Sequence, residues 1–273
     1  MMKLMYITAD PEIAAAAQAA GVDWIFVDME TIGKAERQGG MDTVQSHHTV
    51  EDIRKLRPVL TTSQLLVRCN PIHSDTEAEI DAIVDAGADI IMLPFFQTAA
   101  QVARFLLAVR GRAKTMLLIE TPEAVENLRE ILSLPAVDLC HIGLNDLHLG
   151  YHKRFLFEML TDGTTEYICK KLRSADIPYG FGGIARPGAG MLPAERILGE
   201  HVRLGSDMVI LSRAFYDQRI SRPEEELRRY FAEAVADVRA WEKRWAKASA
   251  AELEENRREV VRAVEKIVEG MRK

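Results

Sequence analysis

The stretch Ala20-Gly-Val-Asp-Trp-Ile-Phe-Val-Asp28 decides the fold, and it returns as Ala86-Gly-Ala-Asp-Ile-Ile-Met-Leu93. In each, a glycine ends a helix, because it enters the left-handed conformation without a Cβ penalty. A short apolar run follows without alternation, which is the pattern of a strand buried on both faces. The same unit recurs along the chain. Strands are expected at Leu4–Thr8, Trp24–Asp28, Leu65–Cys69, Ile90–Leu93, Met116–Ile119, Leu139–Ile142, Tyr179–Phe181 and Met208–Leu211. Helical patterns lie between them at Pro11–Ala20, Val50–Leu56, Thr76–Ala86, Ala99–Val109, Pro122–Leu132, Thr164–Ala175 and Ala194–Leu204. Strands alternating with helices argue for an α/β fold, a (β/α)8 TIM barrel in preference to an open doubly wound sheet. No dinucleotide glycine fingerprint follows the first strand, which counts further against the open sheet.

The chain has 273 residues, 48% of them hydrophobic and 28% charged, enough for one barrel of about 250 residues. Its 35 basic and 41 acidic residues leave a net charge of −6. That excludes a generally basic binder of nucleic acid or anionic membrane. Cys69, Cys140 and Cys169 form no Cys-x-x-Cys pair and no disulfide framework, so a reducing cytoplasm is the expected setting. The apolar start is too short for a signal peptide, and no run reaches the roughly 18 apolar residues of a membrane span.

Residues 1–220 are expected to form the barrel core and residues 221–273 a C-terminal helical extension. Ser221-Arg-Pro-Glu224 reads as a capping-box start. Leu227, Phe231, Val235, Val238, Trp241 and Trp245 then make an apolar stripe, and a second helix begins near Ala250. Two readings stand: an eighth barrel helix with an extra helix on the body, or a stripe that packs on another subunit. A homo-oligomer formed through these helices is the expectation.

In a barrel, chemistry sits at the C-terminal ends of the strands. The polar residues there are Asp10, Asp28, Glu30, Arg68, Asn70, Gln97, Glu120, Asn145, Asp146, His148, Arg186, Ser212 and Arg213. Glu120 and Asp146 stand one βα unit apart and project from neighbouring strands. Converging carboxylates suit Mg²⁺ or Mn²⁺, hard ions that prefer oxygen ligands. The alternative is that Glu120 caps the helix at Pro122 and Asp146 caps a turn.

Several of these stretches together resemble the HpcH/HpaI aldolase/citrate lyase family. They are Leu118-Ile-Glu-Thr-Pro-Glu-Ala-Val-Glu-Asn-Leu128, His141-Ile-Gly-Leu-Asn-Asp-Leu147, Ala20–Glu30, Leu66-Val-Arg-Cys-Asn70 and Leu204–Leu211. The resemblance covers roughly residues 3–215. It implies a barrel with a divalent metal on Glu120 and Asp146, and a substrate of the pyruvate-like 2-oxo acid or CoA-ester class. It also implies that Arg68 contacts the 2-oxo group and steadies an enolate. Glu30, Gly143, Leu144 and Asn145 fall in the same motifs and are expected around the substrate. For Arg68 the alternative is a salt bridge to a neighbouring acid.

The chain also departs from the family. Pyruvate aldolases of the family usually read Asp-x-Glu-His where this chain reads Asp28-Met-Glu30-Thr31. A polar insert, Gly33–His48, follows. One reading folds His47 or His48 back as the base, with Asp28 orienting it; the other leaves both facing solvent. Leu144 replaces a usual Pro and Leu118 a frequent Gln. The seventh loop, Gly180–Gly190, is glycine-rich, and Gly183 and Arg186, helped by Lys34 and Arg37, are candidates to bind a phosphate or second carboxylate. A plain close-packed turn explains the same glycines.

The expected function is therefore a metal-dependent carbon–carbon lyase of class II aldolase type. Arg68, His48 and Asp28 are the expected catalytic residues, Mg²⁺ or Mn²⁺ the cofactor, and a small 2-oxo acid the partner. A CoA-ester lyase of citrate lyase β type, a phosphoenolpyruvate-handling relative, and a non-catalytic anion-binding barrel are the alternatives.

Overall fold

The computed structural model describes residues 1–33 and 48–271. Lys34, Arg37 and His47 lie outside the described residues. Eight parallel strands close into a barrel in sequence order, β1 pairing with β8. They are β1 (Lys3–Ile7), β2 (Trp24–Asp28), β3 (Gln64–Arg68), β4 (Ile90–Leu93), β5 (Lys114–Ile119), β6 (Leu139–Ile142), β7 (Tyr179–Ile184) and β8 (Met208–Leu211).

The first helices are α1 (Pro11–Ala19), α2 (Val50–Leu56), α3 (Thr76–Asp85) and α4 (Ala99–Val109). The helix expected over 122–132 is broken into α5 (Pro122–Glu126) and α6 (Leu128–Ile131). Asn127 leaves helical geometry at the break, and its side chain donates to the Gln97 carbonyl at 2.9 Å. Two helices were not expected, α7 (Leu144–Gly150) and α8 (Glu158–Thr161). Their polar starts resemble turns. The remaining helices are α9 (Thr164–Ser174), α10 (Ala194–Leu204), α11 (Glu224–Trp245) and α12 (Ala250–Gly270). No helix among the described residues is long and apolar enough to cross a membrane.

Strand parity divides the core. Phe26, Leu66 and Ile90 are register partners, and with Met5, Met92, Met116, Leu118 and Met208 they fill the barrel interior. Alternate residues such as Val27, Val67, Ile91 and Leu117 face the helices. β7 runs on to Ile184, past the expected Phe181, because its glycines fit a crowded place. A Cβ on Gly180 would lie 2.1 Å from the Met208 carbonyl oxygen. The bare backbone is what lets β7 sit against β8.

The C-terminal helices close the outside. α11 packs on α1 and α10, and α12 on α10 and α8. Leu227, Phe231, Val235, Val238 and Trp245 are buried within the chain, and Trp241 is half-buried. The stripe thus packs mainly on the chain's own α1 and α10. The expected capping box at Ser221 does not form: α11 starts after Pro223 with no side-chain cap. Ser249 and Glu252 do form one for α12. Trp245 donates to the Glu195 carbonyl at 2.8 Å, and buried Asn256 donates to Arg196 and Glu200.

Candidate active site at the barrel mouth

β2 and β3 end side by side, with Asp28 in register with Arg68. The Arg68 guanidinium donates to both Asp28 carboxylate oxygens, at 2.8 and 2.7 Å. A third nitrogen lies 3.3 Å from Glu30 Oε2, and the Phe26 ring sits 5.7 Å beneath. Such a fork is held in one plane by its paired donors. Burial works against the Arg68 charge, but Asp28 and Glu30 outweigh it and raise the guanidinium pKa. The salt bridge that stood as the alternative reading of Arg68 is present, at the end of β3.

Glu120 follows β5 and is buried. It caps no helix: Thr121 accepts from the Ala124 amide and caps α5. One Glu120 oxygen instead accepts from the Phe95 amide at 2.9 Å. Phe95 makes this contact in a left-handed conformation, φ 48°, which a bulky residue adopts only where its surroundings impose it. Gly143 serves the same side chain, since a Cβ there would lie 2.7 Å from Glu120 Oε2. Asp146 lies in the first turn of α7 and is buried. Its Oδ1 is buried with no hydrogen-bond partner among the described residues. Burial lifts the Glu120 carboxyl well above its ordinary range, and the Asp146 and Glu30 charges add to this; Arg68 and the Phe95 amide oppose it.

An excess of negative charge with an orphaned carboxylate oxygen is what a divalent cation would relieve, so the residues fit a metal. Among the described residues no three or more of His, Cys, Asp and Glu converge as a ligand cluster. Glu120 and Asp146 would therefore be the chain's share of the ligands, leaving the rest to substrate and water.

His48 does fold back to β2. Its Nδ1 accepts from the Asp28 backbone amide at 3.1 Å. The backbone of Asp28 orients the ring, because the carboxylate is engaged by Arg68. Neutral His48 therefore carries its proton on Nε2. Asn145 is half-buried beside Asp146, and Leu144 is buried, packed against Gly182. Gly183 lies in β7 against Ile210 and Ser212.

Arg186 does not join this group. It pairs with Asp237 of α11 at 3.0 Å and lies over the Tyr230 ring at 5.3 Å. The hydrogen bond to Asp237 raises its pKa. Its charge is committed to the C-terminal helix. Of the other rim residues, Asp10 caps α1 and His148 bonds to the Leu144 carbonyl within α7. Asn70 turns out to be an organising residue of the β2 loop.

Sequence reading overlooked one inward-facing residue. His141 pairs in register with Leu118, an interior residue, so it too faces the barrel axis. Its Nε2 lies 2.9 Å from the Gly182 carbonyl, which places the proton there, while Nδ1 is buried without a partner among the described residues. Burial holds its pKa down at about 4. The parity of β6, with Leu139 and Gly143 on the same face, was the signal that could have found it.

The comparisons with known proteins speak to the family and the fold. The family model described as HpcH/HpaI aldolase/citrate lyase matches residues 3–177. The chain is similar to the solved structure of an HpcH/HpaI aldolase from Desulfitobacterium hafniense DCB-2. The TM-score is 0.62 at 19% identity, over 87% of this chain and 93% of that one. It is also similar to an HpcH/HpaI aldolase/citrate lyase family protein from Burkholderia cenocepacia J2315. There the TM-score is 0.61 at 16% identity, over 77% of this chain and 88% of that one. At these identities the two structures speak for the fold alone. No curated protein matches the chain.

Proposed function

The chain belongs to the HpcH/HpaI aldolase/citrate lyase family, and from that premise we propose that it is a metal-dependent carbon–carbon lyase acting beside the carbonyl of a pyruvate-like 2-oxo acid. Membership supports the lyase class; the metal, the substrate and the residue roles are our reading. The observation that carries it is the buried acid pair Glu120 and Asp146, with an orphaned Asp146 oxygen, set against the Arg68 guanidinium.

Glu120 and Asp146 would hold Mg²⁺ or Mn²⁺, which when bound supplies Lewis-acid polarisation of the substrate's oxygens. Arg68 donates to the 2-oxo oxygen and opposes the negative charge that grows there as the neighbouring bond breaks. A donor already locked by Asp28 and Glu30 does not have to reorganise during the reaction. Phe95 and Gly143 fix the Glu120 carboxylate from two sides. Glu30, Gly143, Leu144, Asn145 and Gly183 surround the substrate in this reading. His48, with Nδ1 engaged by the Asp28 amide, offers a proton from Nε2. To act as base through Nε2 it would first have to give up that tautomer. It is therefore better placed to donate a hydrogen bond from Nε2 to a substrate oxygen than to start the reaction as base.

The test is a calorimetric titration with Mg²⁺ and Mn²⁺, followed by assays with pyruvate plus an aldehyde panel and with an acyl-CoA panel. The expected result is divalent-ion binding that Asp146→Ala removes, with turnover of a 2-oxo acid that chelation abolishes. Turnover confined to acyl-CoA esters would overturn the substrate class. Absence of metal binding would overturn the mechanism.

A further inference from the structure

Directly after Glu30 the backbone is held by a side chain from the next strand. Asn70, two residues beyond the end of β3, accepts through Oδ1 from the Thr31 amide at 2.9 Å and the Ile32 amide at 3.0 Å. The Thr31 hydroxyl donates to the same oxygen at 3.3 Å.

Asn70 is itself aimed. Its Nδ2 donates to Glu79 Oε1 at 2.8 Å, and its backbone amide donates to the same oxygen at 3.1 Å. An Asn amide can be flipped, but here the carboxylate on one side settles it: only the NH₂ end can face Glu79. The other Glu79 oxygen lies 2.9 Å from His73 Nε2. His73 Nδ1 accepts from the Asp75 amide at 3.2 Å, so the His73 proton is on Nε2 and points at Glu79. The relay runs without a mismatch from the Asp75 amide through His73, Glu79 and Asn70 to the two amides after Glu30. Glu79 is on α3, whose position is set by packing of Ile80 and Ile83 in the core.

We propose that Asn70 is a positioning residue of the active site: aimed by Glu79 and His73, its amide oxygen fixes the backbone after Glu30 and thereby the carboxylate that steadies the Arg68 guanidinium. The inference rests on the lyase reading for its catalytic consequence but not for its geometry. A Glu30 free to drift would leave Arg68 oriented by Asp28 alone, and the growing negative charge would meet a less well-aimed donor. Small misplacements of this kind cost rate more than binding.

The experiment has two arms. Residue-resolved amide exchange reads the geometry whether or not a substrate is known. Asn70→Ala should speed exchange at Thr31 and Ile32 by about tenfold or more, while Met29, bonded to the Arg68 carbonyl, keeps its protection. Unchanged protection at Thr31 and Ile32 overturns the proposal. Glu79→Gln should act in the same direction, more weakly, and add nothing to Asn70→Ala; it serves as the second variant should Asn70→Ala not fold. In the turnover arm, Asn70→Ala should lower kcat by about tenfold with KM nearly unchanged. In a Glu30→Gln background the same change should have almost no further effect, because Asn70 acts through Glu30. Effects that multiply in the double variant would show a merely structural role and overturn the proposal. A wild-type chain inactive on every 2-oxo acid would overturn the lyase reading, and the exchange arm would still decide this one.

Discussion

The mouth of the barrel and the flank beyond β7 handle charge in opposite ways. On the flank, charges come matched: Arg186 with Asp237, Arg203 with Glu200 and Glu166, Arg196 with Glu259. Those pairs tie α10 and the C-terminal helices to the body. At the mouth, Asp28, Glu30, Glu120 and Asp146 gather around Arg68, so acids outnumber the base, and they do so with little access to water. Mutual repulsion in a desolvated place is costly. A fold keeps such a cluster only where something else gains from it, and under the proposed function the gain is a site for a cation and an anionic substrate. Matched charge marks construction in this molecule, and unmatched buried charge is where the proposed function places the chemistry.

The strongest way to break that contrast is at the acids. Glu120→Ala or Asp146→Ala should lower turnover by about a thousandfold, since several kcal/mol of transition-state stabilisation is lost. The metal-free variants should melt no lower than the metal-free wild type, because a repelling charge has gone. Steady-state assays paired with thermal melts read both; retained activity in either variant would remove that residue from the site. Arg68→Met comes next and differs in kind. It strands Asp28 and Glu30 without their cation, so stability should fall by about 3–5 kcal/mol as well as activity being lost. Denaturant unfolding of that variant at wild-type stability would mean that the acids are not held as a pair with Arg68.

A smaller effect is expected at His201, which stacks flat on Phe181 at 3.8 Å. Burial, with a lesser effect from His141, holds its pKa at about 3 in the fold, against 6.5 for the free side chain. Between those values the unfolded chain binds a proton that the folded one excludes, so this contribution is complete above pH 6.5 and is lost as the pH falls. The stability gap between wild type and His201→Asn should therefore narrow by about 1.6 kcal/mol between pH 6.5 and 5, the slope approaching about 1.4 kcal/mol per pH unit. Urea midpoints at the two values measure it, and a gap that does not change with pH would contradict a neutral buried ring. The smallest effect belongs to the flank. Arg186→Ala should cost about 1 kcal/mol of stability, as a half-exposed ion pair with a ring contact does. It should leave kcat within about twofold. A large loss of kcat would return Arg186 to the substrate and erase the contrast.

How much of this was legible in the sequence depends on the kind of residue. Trp24–Asp28, Ile90–Leu93, Leu139–Ile142 and Met208–Leu211 form strands with the expected bounds, because a run of Ile, Val, Leu and aromatic residues buried on both sides has no competing local structure. Glu120, Asp146 and Arg68 stood out because charged residues at strand ends are few and a family motif contains them. Arg186 was misplaced for the opposite reason. It follows a glycine-rich strand as an anion-binding residue would, and nothing local reveals an Asp237 fifty-one residues away. The apolar stripe on α11 announced that it would be covered, but its pattern is the same whether the cover is another subunit or the chain's own α1 and α10.

Sequence by itself determined the barrel, the order of its strands and the identity of the acids at its mouth, since hydrophobic period and short connections leave one economical topology. Only the tertiary structure decided which way the polar groups were committed. His141 faces the barrel axis because of strand parity. Asn70 is turned toward Thr31 because Glu79 of α3 claims its NH₂ end. Arg186 is lost to the site because α11 carries Asp237 past it. Burial is a local preference that each segment states for itself; the pairing of charges and hydrogen bonds is settled between segments, and exists only once the chain has brought them together.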